Sequence, residues 1–392
     1  MTHYPYLIVG GGMTADAAAR AIRESDPAGA IGLISAEPHP PYARPPLSKG
    51  LWKGDPEAGI WKGTETVGVE LRLGRQVKAV DTKAKTVTDE RGDAVSYGKL
   101  LLATGGTPRR LPLNTEQIIY FRTYDDYRRL RSLANERLRF AVLGGGFIGS
   151  EIAAALKTAG RDVVMLVPED GLGARVFPAD LSRFLVGYYR EQGVELRTGE
   201  GLAGLTPRAG KVLVQTTSGQ EIPVDVVVAG LGIQPNVDLA EQAGLWVDNG
   251  IVVDELLRTS VPDIFAAGDV ANFFNPALGS RMRVEHEDNA TTMGAAAGRA
   301  MAGQGTPYTH LPFFYSDLFA LDYEAVGELD PRLETVADWK ELFREGVVYY
   351  LKEGRVRGVL LWNTFGQVDA ARALIAEPGP FRTDNLKGRL PA

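Results

Sequence analysis

Apolar residues in this chain fall in short runs separated by glycine-rich turns, and helical spacings appear between the runs. Residues 6–9 form an apolar, β-prone run that is followed by Ala17, Ala18, Ala19 and Ile22 at helical spacing. The next apolar run covers 31–35, and 38–53 is a proline-rich loop. Residues 69–74 alternate as a strand, and 77–95 read as a small β-meander. They lead into a buried strand over 99–106 that ends in a glycine-rich turn. A linker is expected at 107–112 and an arginine-rich helix at 124–138. Strands then follow at 141–143, 162–167, 225–230, 250–253 and 264–269, with helices at 152–159 and 289–301. After 306–310 the composition changes. Aromatics gather at 311–316, strands are expected at 323–328, 347–352 and 358–362, a helix at 368–375, and a Pro/Gly-rich tail over 377–392.

The first run opens on a G-x-G-x-x-G/A spacing made by Gly10, Gly12 and Ala15. The first glycine turns the chain sharply off the strand. The second lets backbone approach a pyrophosphate, and the small third residue lets helix and sheet pack closely. Phosphates then sit on free N–H groups at the positive end of a helix. Glu37, at the end of the next apolar run, is placed to accept ribose hydroxyls. At Phe140 the pattern restarts, and Gly144, Gly146 and Gly149 repeat the spacing 134 residues further on. The stretch 194–199 echoes 69–74. The stretch 225–230, ending in Gly230, echoes the strand that ends in Ala103, Thr104 and Gly105. Two copies of one unit imply two different dinucleotides, a pairing usually made by a flavin and a nicotinamide.

The 392 residues suggest two to three domains. A hydrophobic content of 44% and 23% charged residues leave ample material for cores. A net charge of −6 argues against nucleic acid or an anionic membrane as partner. No apolar run approaches the ~18 residues of a membrane helix, so the expected location is the cytoplasm. Cysteine is absent, which removes disulfides, thiol nucleophiles and thiolate metal sites. With four histidines a multi-His metal site is not expected either. The chemistry is left to bound cofactors.

Together these elements resemble the FAD-dependent pyridine-nucleotide oxidoreductases, in the branch of ferredoxin reductases and apoptosis-inducing-factor-like proteins. The resemblance rests on the two fingerprints, on 41–49, 103–105, 144–151, 230–236, Gly268 and Asp269, 284–286 and 313–317, and on 361–367. It implies an α/β fold of two doubly wound, Rossmann-like nucleotide-binding domains plus a C-terminal α+β domain. Residues 1–111 with 237–310 would bind FAD, 112–236 would bind NAD, and 311–392 would form the third domain.

By the same resemblance, Asp269 serves the ribityl or pyrophosphate part of FAD, and Arg44 lies close to its phosphates. Lys49 stands beside flavin N5, and Glu151 pairs with it near the nicotinamide. A helix starting near 286–289 points its N-terminus at the flavin pyrimidine. Glu285, His286 and Tyr315 belong to the same cofactor-binding set. In the second unit the usual ribose carboxylate position is taken by Val167, and Glu169 is expected to substitute. No arginine pair for a 2′-phosphate stands there, which favours NADH over NADPH. The implied reaction passes hydride from NADH to FAD and electrons on to a carrier such as a ferredoxin. An apoptosis-inducing-factor-like redox sensor and a quinone or small-molecule reductase are the alternatives. The oligomeric state is left open, a homodimer included.

Overall fold

The computed structural model describes residues 1–112, 116–136, 138–208 and 210–390. They form two compact units, each mixed α/β. One unit comprises Met1–Arg44, Pro56–Thr107 and Gln234–Pro312, and the other Pro45–Asp55, Pro108–Ile233 and Phe313–Ala392.

The first unit is built on a sheet in the order Val69–Arg72, Ile31–Ile34, Thr2–Val9, Ala94–Leu102. These four strands run parallel. The C-terminal half of Ala94–Leu102 also takes Ile264–Ala266 as a parallel partner, and its N-terminal half carries the antiparallel meander Thr86–Asp89 and Val77–Asp81. Leu7, Ile8, Leu100 and Leu101 are fully buried, as expected of strands covered on both faces. Helix Met13–Ser25 turns Ala15, Ala18, Ala19 and Ile22 inward. It meets helix Glu287–Met301 nearly backbone to backbone, because a Cβ at Gly294 or Gly298 would fall 2.4 Å from the carbonyl of Thr14 or Ala18.

The second unit repeats this plan. Its parallel sheet runs Glu195–Thr198, Asp162–Val167, Arg139–Leu143, Val226–Ala229, Ile118–Tyr120. The last strand precedes the fingerprint in sequence, whereas its counterpart Ile264–Ala266 follows it. An antiparallel sheet, Phe313–Leu318, Leu321–Gly327, Arg355–Trp362, Glu345–Lys352, Glu334–Glu341, belongs to the same unit. Aromatic rings bind it to the nucleotide half, Phe177 lying edge-on to both Tyr323 and Trp362. The Tyr350 hydroxyl donates to the Val176 carbonyl at 2.7 Å.

Several elements differ from the sequence expectation. The helix expected over 124–138 is Tyr124–Leu133. It opens on a capping box between Thr123 and Asp126, and after Ala134 the chain tightens into i→i+3 bonds at Asn135 and Glu136. The helix expected from 289 begins at Glu287, so Glu287 and Asp288 occupy the first turn, where negative charge is favoured. Helix Ala179–Glu191, the hairpin strands between 202 and 224 and strand Glu334–Glu341 have no counterpart in the expectation. Glu334–Glu341 is a mostly exposed edge strand whose polar surface gives little apolar signal. The stretch 377–390 is no loose tail. Leu386 and Leu390 are buried, and Leu390 N donates to the Tyr349 hydroxyl at 3.1 Å.

Candidate functional site

The two fingerprints solve the same steric problems at the same positions. Gly10 has φ +127°, and a Cβ there would lie 2.1 Å from the Ala103 carbonyl oxygen. Gly144 has φ +98°, and its Cβ would lie 2.5 Å from the Gly230 carbonyl oxygen. In each copy the chain leaving the first strand passes the end of its parallel neighbour so closely that only glycine fits. A Cβ on Gly12 or Gly146 would meet nothing within 4 Å, so each opens on free space at the start of a helix. The third positions differ. Ala15 is buried without conflict, while a Cβ on Gly149 would lie 2.1 Å from the Gly144 carbonyl.

The same superposition of bonds locates the carboxylates. Gly74 N donates to the Glu37 carbonyl, and Gly199 N to the Glu169 carbonyl, both at 3.0 Å. Glu37 and Glu169 therefore hold one backbone position in the two copies. Each meets an arginine further along its loop. Glu37 accepts from Tyr42 Oη at 2.6 Å and from Arg44. Burial disfavours the Arg44 cation, but Glu37, Tyr42 and Asp269 more than offset this and raise its pKa. Glu169 is bonded by Arg175, 2.7 Å from Nη2 to Oε1, with Arg175 largely exposed. Arg175 was absent from the sequence expectation. It stands six residues past Glu169, where Arg44 stands seven past Glu37.

Elsewhere in the first unit, Thr104 and Asn236 exchange two 2.8 Å bonds that fix the turn at 103–105. Gly268, at φ +78°, passes so near helix Met13–Ser25 that a Cβ would lie 2.3 Å from Thr14 Oγ1. Asp269 follows it, and its carbonyl accepts from Arg283. Arg283 is also paired with Glu285 at 2.7 Å. His286 is the N-cap residue of Glu287–Met301.

The second unit brings Lys49 and Glu151 together. Lys49 ends the loop before the short helix Gly50–Lys53, and Glu151 sits in the first turns of Phe147–Thr158. Nζ and Oε1 are 2.7 Å apart, with side chains 12% and 2% exposed. Two hydroxyls complete the carboxylate's shell: Ser48 Oγ donates to Oε2 at 2.6 Å, and Ser316 Oγ to Oε1 at 2.5 Å. An ionised carboxylate so deep needs such donors. Tyr189 and Tyr323 also face it, and burial, then the Glu151 charge, push both phenols well above their usual range. Tyr315 places its ring under Lys49, with Nζ 5.1 Å from the centroid. Ser48 and Ser316 lie within the motifs at 41–49 and 313–317, but neither is among the site residues expected from the sequence. The signal was their position, one beside Lys49 and the other beside Tyr315.

The structure thus collects the predicted residues into two groups. Gly10, Gly12, Ala15, Glu37, Arg44, Ala103, Thr104, Gly105, Gly268, Asp269, Glu285 and His286 lie in the first unit. Lys49, Gly144, Gly146, Gly149, Glu151, Glu169, Gly230 and Tyr315 lie in the second.

Comparison with known proteins agrees with this doubled geometry. The family described as pyridine nucleotide-disulphide oxidoreductase matches residues 4–294, and the chain belongs to it. The C-terminal family of mitochondrion-associated apoptosis-inducing factor matches 297–342 and 337–377. The apoptosis-inducing factor 1, mitochondrial, of Dictyostelium discoideum is 34% identical over 95% of this chain and 78% of its own length. The ferredoxin–NAD(+) reductase component of the anthranilate 1,2-dioxygenase system of Burkholderia cepacia is 35% identical, covering 96% and 95%. Among solved structures, the covalent putidaredoxin reductase–putidaredoxin complex has a TM-score of 0.89 at 30% identity, covering 98% and 94%. The chain is thus an NAD(P)H-dependent flavoprotein reductase of the ferredoxin-reductase and apoptosis-inducing-factor-like branch, using FAD and NAD.

Proposed function

We propose that this protein oxidises NADH through FAD and delivers the electrons singly to a small carrier protein of ferredoxin type, in the cytoplasm. The observation that carries the reading is the doubled fingerprint, with a buried Lys49–Glu151 pair beside the second copy and no cysteine in the chain. Without a thiol pair, electrons have no covalent relay in the protein and must leave from the cofactor itself. Among the described residues no helix is long and apolar enough to cross a membrane.

In this reading residues 1–111 and 237–310 hold FAD, 112–236 hold NADH, and 311–392 form the C-terminal domain. Open space at Gly12 and Gly146, each at a helix start, fits a pyrophosphate in each copy. FAD supplies hydride acceptance and one-electron release when bound. Glu37 and Glu169 take the ribose hydroxyls of the two dinucleotides, with Arg44 near the FAD phosphates. Gly268 and Asp269 serve the ribityl–pyrophosphate part, and Glu285, His286 and Tyr315 complete the set. Lys49 presents a cation at flavin N5, and Glu151, held by two hydroxyls and the lysine, fixes where that cation points.

A second reading, a slow oxidase that acts as a redox sensor, is favoured by the match of 297–377 to the apoptosis-inducing-factor C-terminal family. Anaerobic reduction of the purified yellow protein with NADH, followed by a ferredoxin, separates the two. Fast reoxidation by the carrier supports the reductase. A long-lived reduced complex that ignores the carrier supports the sensor. A protein that binds neither FAD nor NADH contradicts both.

A further inference from the structure

In the second unit, helix Tyr124–Leu133 packs beside Ile118–Tyr120, the edge strand of the parallel sheet. Positions 124, 128 and 131 follow at i, i+4 and i+7, which puts Tyr124, Arg128 and Arg131 on one face of the helix. The Arg128 guanidinium lies 5.9 Å from the centroid of the Tyr124 ring, and that of Arg131 lies 5.1 Å over Trp52. Arg129 donates to the Glu116 carbonyl, two residues before the edge strand. At the end of that strand Arg110 lies 4.9 Å over Tyr120. Four guanidiniums are thus drawn together along the helix and the strand it packs on.

None of the four has a carboxylate partner among the described residues. Exposed arginines elsewhere are neutralised, Arg175 by Glu169, Arg258 by Asp254, Arg332 by Asp330 and Arg389 by Glu377. Asp125 and Asp126 occupy the first turn of the helix, where its N-terminus offsets their charge, and Asp126 is bonded into the capping box. Stacking on a ring acts differently from an ion pair. It fixes where a guanidinium points and leaves its positive charge uncancelled. The cationic rim is therefore arranged in advance, and a partner has less side-chain freedom to freeze on binding.

The whole chain carries a net charge of −6. A cationic partner would be drawn to it from every side and gain no orientation. An anionic partner is repelled by most of the surface and attracted at this rim, so charge selects both the partner and its pose. Resting on the reductase reading, we propose that Arg110, Arg128, Arg129 and Arg131 dock an acidic face of the carrier protein. Planar guanidiniums suit this, because they take carboxylates in bidentate pairs. Tyr124 and Trp52 are buried beneath their guanidiniums, which leaves them no open face to stack on a nucleic-acid base. Trp52 stands three residues after Lys49, on the short helix that Lys49 caps. A protein docked here borders the segment that the reductase reading puts at the flavin.

The test uses the full-length, FAD-loaded protein, an acidic ferredoxin as probe, and a variant combining Arg110→Gln, Arg128→Gln, Arg129→Gln and Arg131→Gln. Arg332→Gln, an exposed arginine outside the rim, is the control. At low salt, kcat/KM for the ferredoxin should fall about 10- to 100-fold in the combined variant, chiefly through KM. Added salt should slow the wild type steeply and the variant little, so that the two converge. Reduction of menadione, an uncharged acceptor, should stay within about twofold, since no charge steers it. If the combined variant does not fold, Arg110→Gln with Arg129→Gln and Arg128→Gln with Arg131→Gln test the rim in halves. An unchanged ferredoxin rate, or a loss that is equal at every salt concentration, would overturn the proposal. So would a matching loss of NADH affinity, which would give the rim to the coenzyme, or tighter binding of duplex DNA than of the ferredoxin. A wild type that NADH does not bleach would overturn the reductase reading. Calorimetry with the ferredoxin would still decide the rim, by whether the wild type shows salt-sensitive binding that the variant lacks.

Discussion

Lys49 and Glu151, 102 residues apart in sequence, meet at 2.7 Å in an environment that leaves the carboxylate almost no water. The pair contributes little net stability, because desolvation offsets most of its attraction. Its consequence is positional. Glu151 is anchored from three directions, so the ammonium of Lys49 has one well-defined place to be.

Removing either charge strands the other. On the proposed placement of Lys49 at flavin N5, the orphaned Glu151 of Lys49→Ala should disfavour negative charge on the reduced cofactor, so the flavin potential should fall and reduction by NADH slow. In Glu151→Ala the remaining lysine should hold or raise the potential. The double variant should depart from additivity by about 0.5–3 kcal/mol, the coupling typical of residues in contact. Midpoint potentials and stopped-flow rates for all three variants check this, and shifts of equal sign would refute it.

The two serines should matter nearly as much as the lysine. Ser316→Ala and Ser48→Ala each delete one hydrogen bond to a buried charge, worth about 1.5–3 kcal/mol. Thermal unfolding should show the loss. The rate of flavin reduction should fall with it, because Glu151 then no longer fixes Lys49. Loss of stability with an unchanged rate would confine the serines to a structural role.

Coenzyme choice should depend on Glu169. Glu169→Ala removes the proposed ribose acceptor and frees Arg175, so the preference for NADH over NADPH should narrow by about one to two decades in kcat/KM. Arg175→Ala should leave or widen the preference. An unchanged ratio in Glu169→Ala would place the ribose elsewhere.

Tyr97 offers a test of the first unit's core. Its hydroxyl is buried without a partner, and burial, with smaller contributions from Asp81 and Asp263, lifts its pKa to about 12. A raised pKa means that the neutral phenol's contribution is complete below the unfolded value near 10 and is lost as pH climbs through about 12. Tyr97→Phe removes an unpaired hydroxyl that costs about 1–3 kcal/mol. It should therefore be as stable as the wild type or more so at pH 7, and should lose less stability above pH 10. Denaturation curves across that range would expose the opposite result.

Much of this molecule was legible in the sequence. Glycines that must lie at φ +127° or +98° against the end of a parallel neighbouring strand leave no substitute, so Gly10 and Gly144 declared both nucleotide units. The Lys49–Glu151 contact was readable through family resemblance, since nothing local links two charges 102 residues apart. What stayed hidden had no periodic or chemical mark. Ser48 and Ser316 are ordinary hydroxyls until folding places them on one carboxylate. The equivalence of Glu169 with Glu37 shows in the bonds from Gly199 and Gly74, because the distance from the first fingerprint glycine to the carboxylate differs, 27 residues in one copy and 25 in the other. The edge strand Glu334–Glu341 is too polar to announce itself, and the buried leucines near the C-terminus are too few to form a pattern.

The near-contact of helix Met13–Ser25 with helix Glu287–Met301 orders events at the ribosome. The sheet holding the second fingerprint is contiguous, from Ile118 to Ala229, and has every strand it needs once that stretch has emerged. The sheet holding the first fingerprint lacks Ile264–Ala266, and its helix lacks the partner whose glycines it packs on, until some 260 to 300 residues have been made. At 5–20 residues per second that is a delay of roughly 10–60 s. The first motif to be synthesised is thus among the last to be completed. During that interval Ala15, Ala18 and Ile22 form an apolar helix face without its final cover.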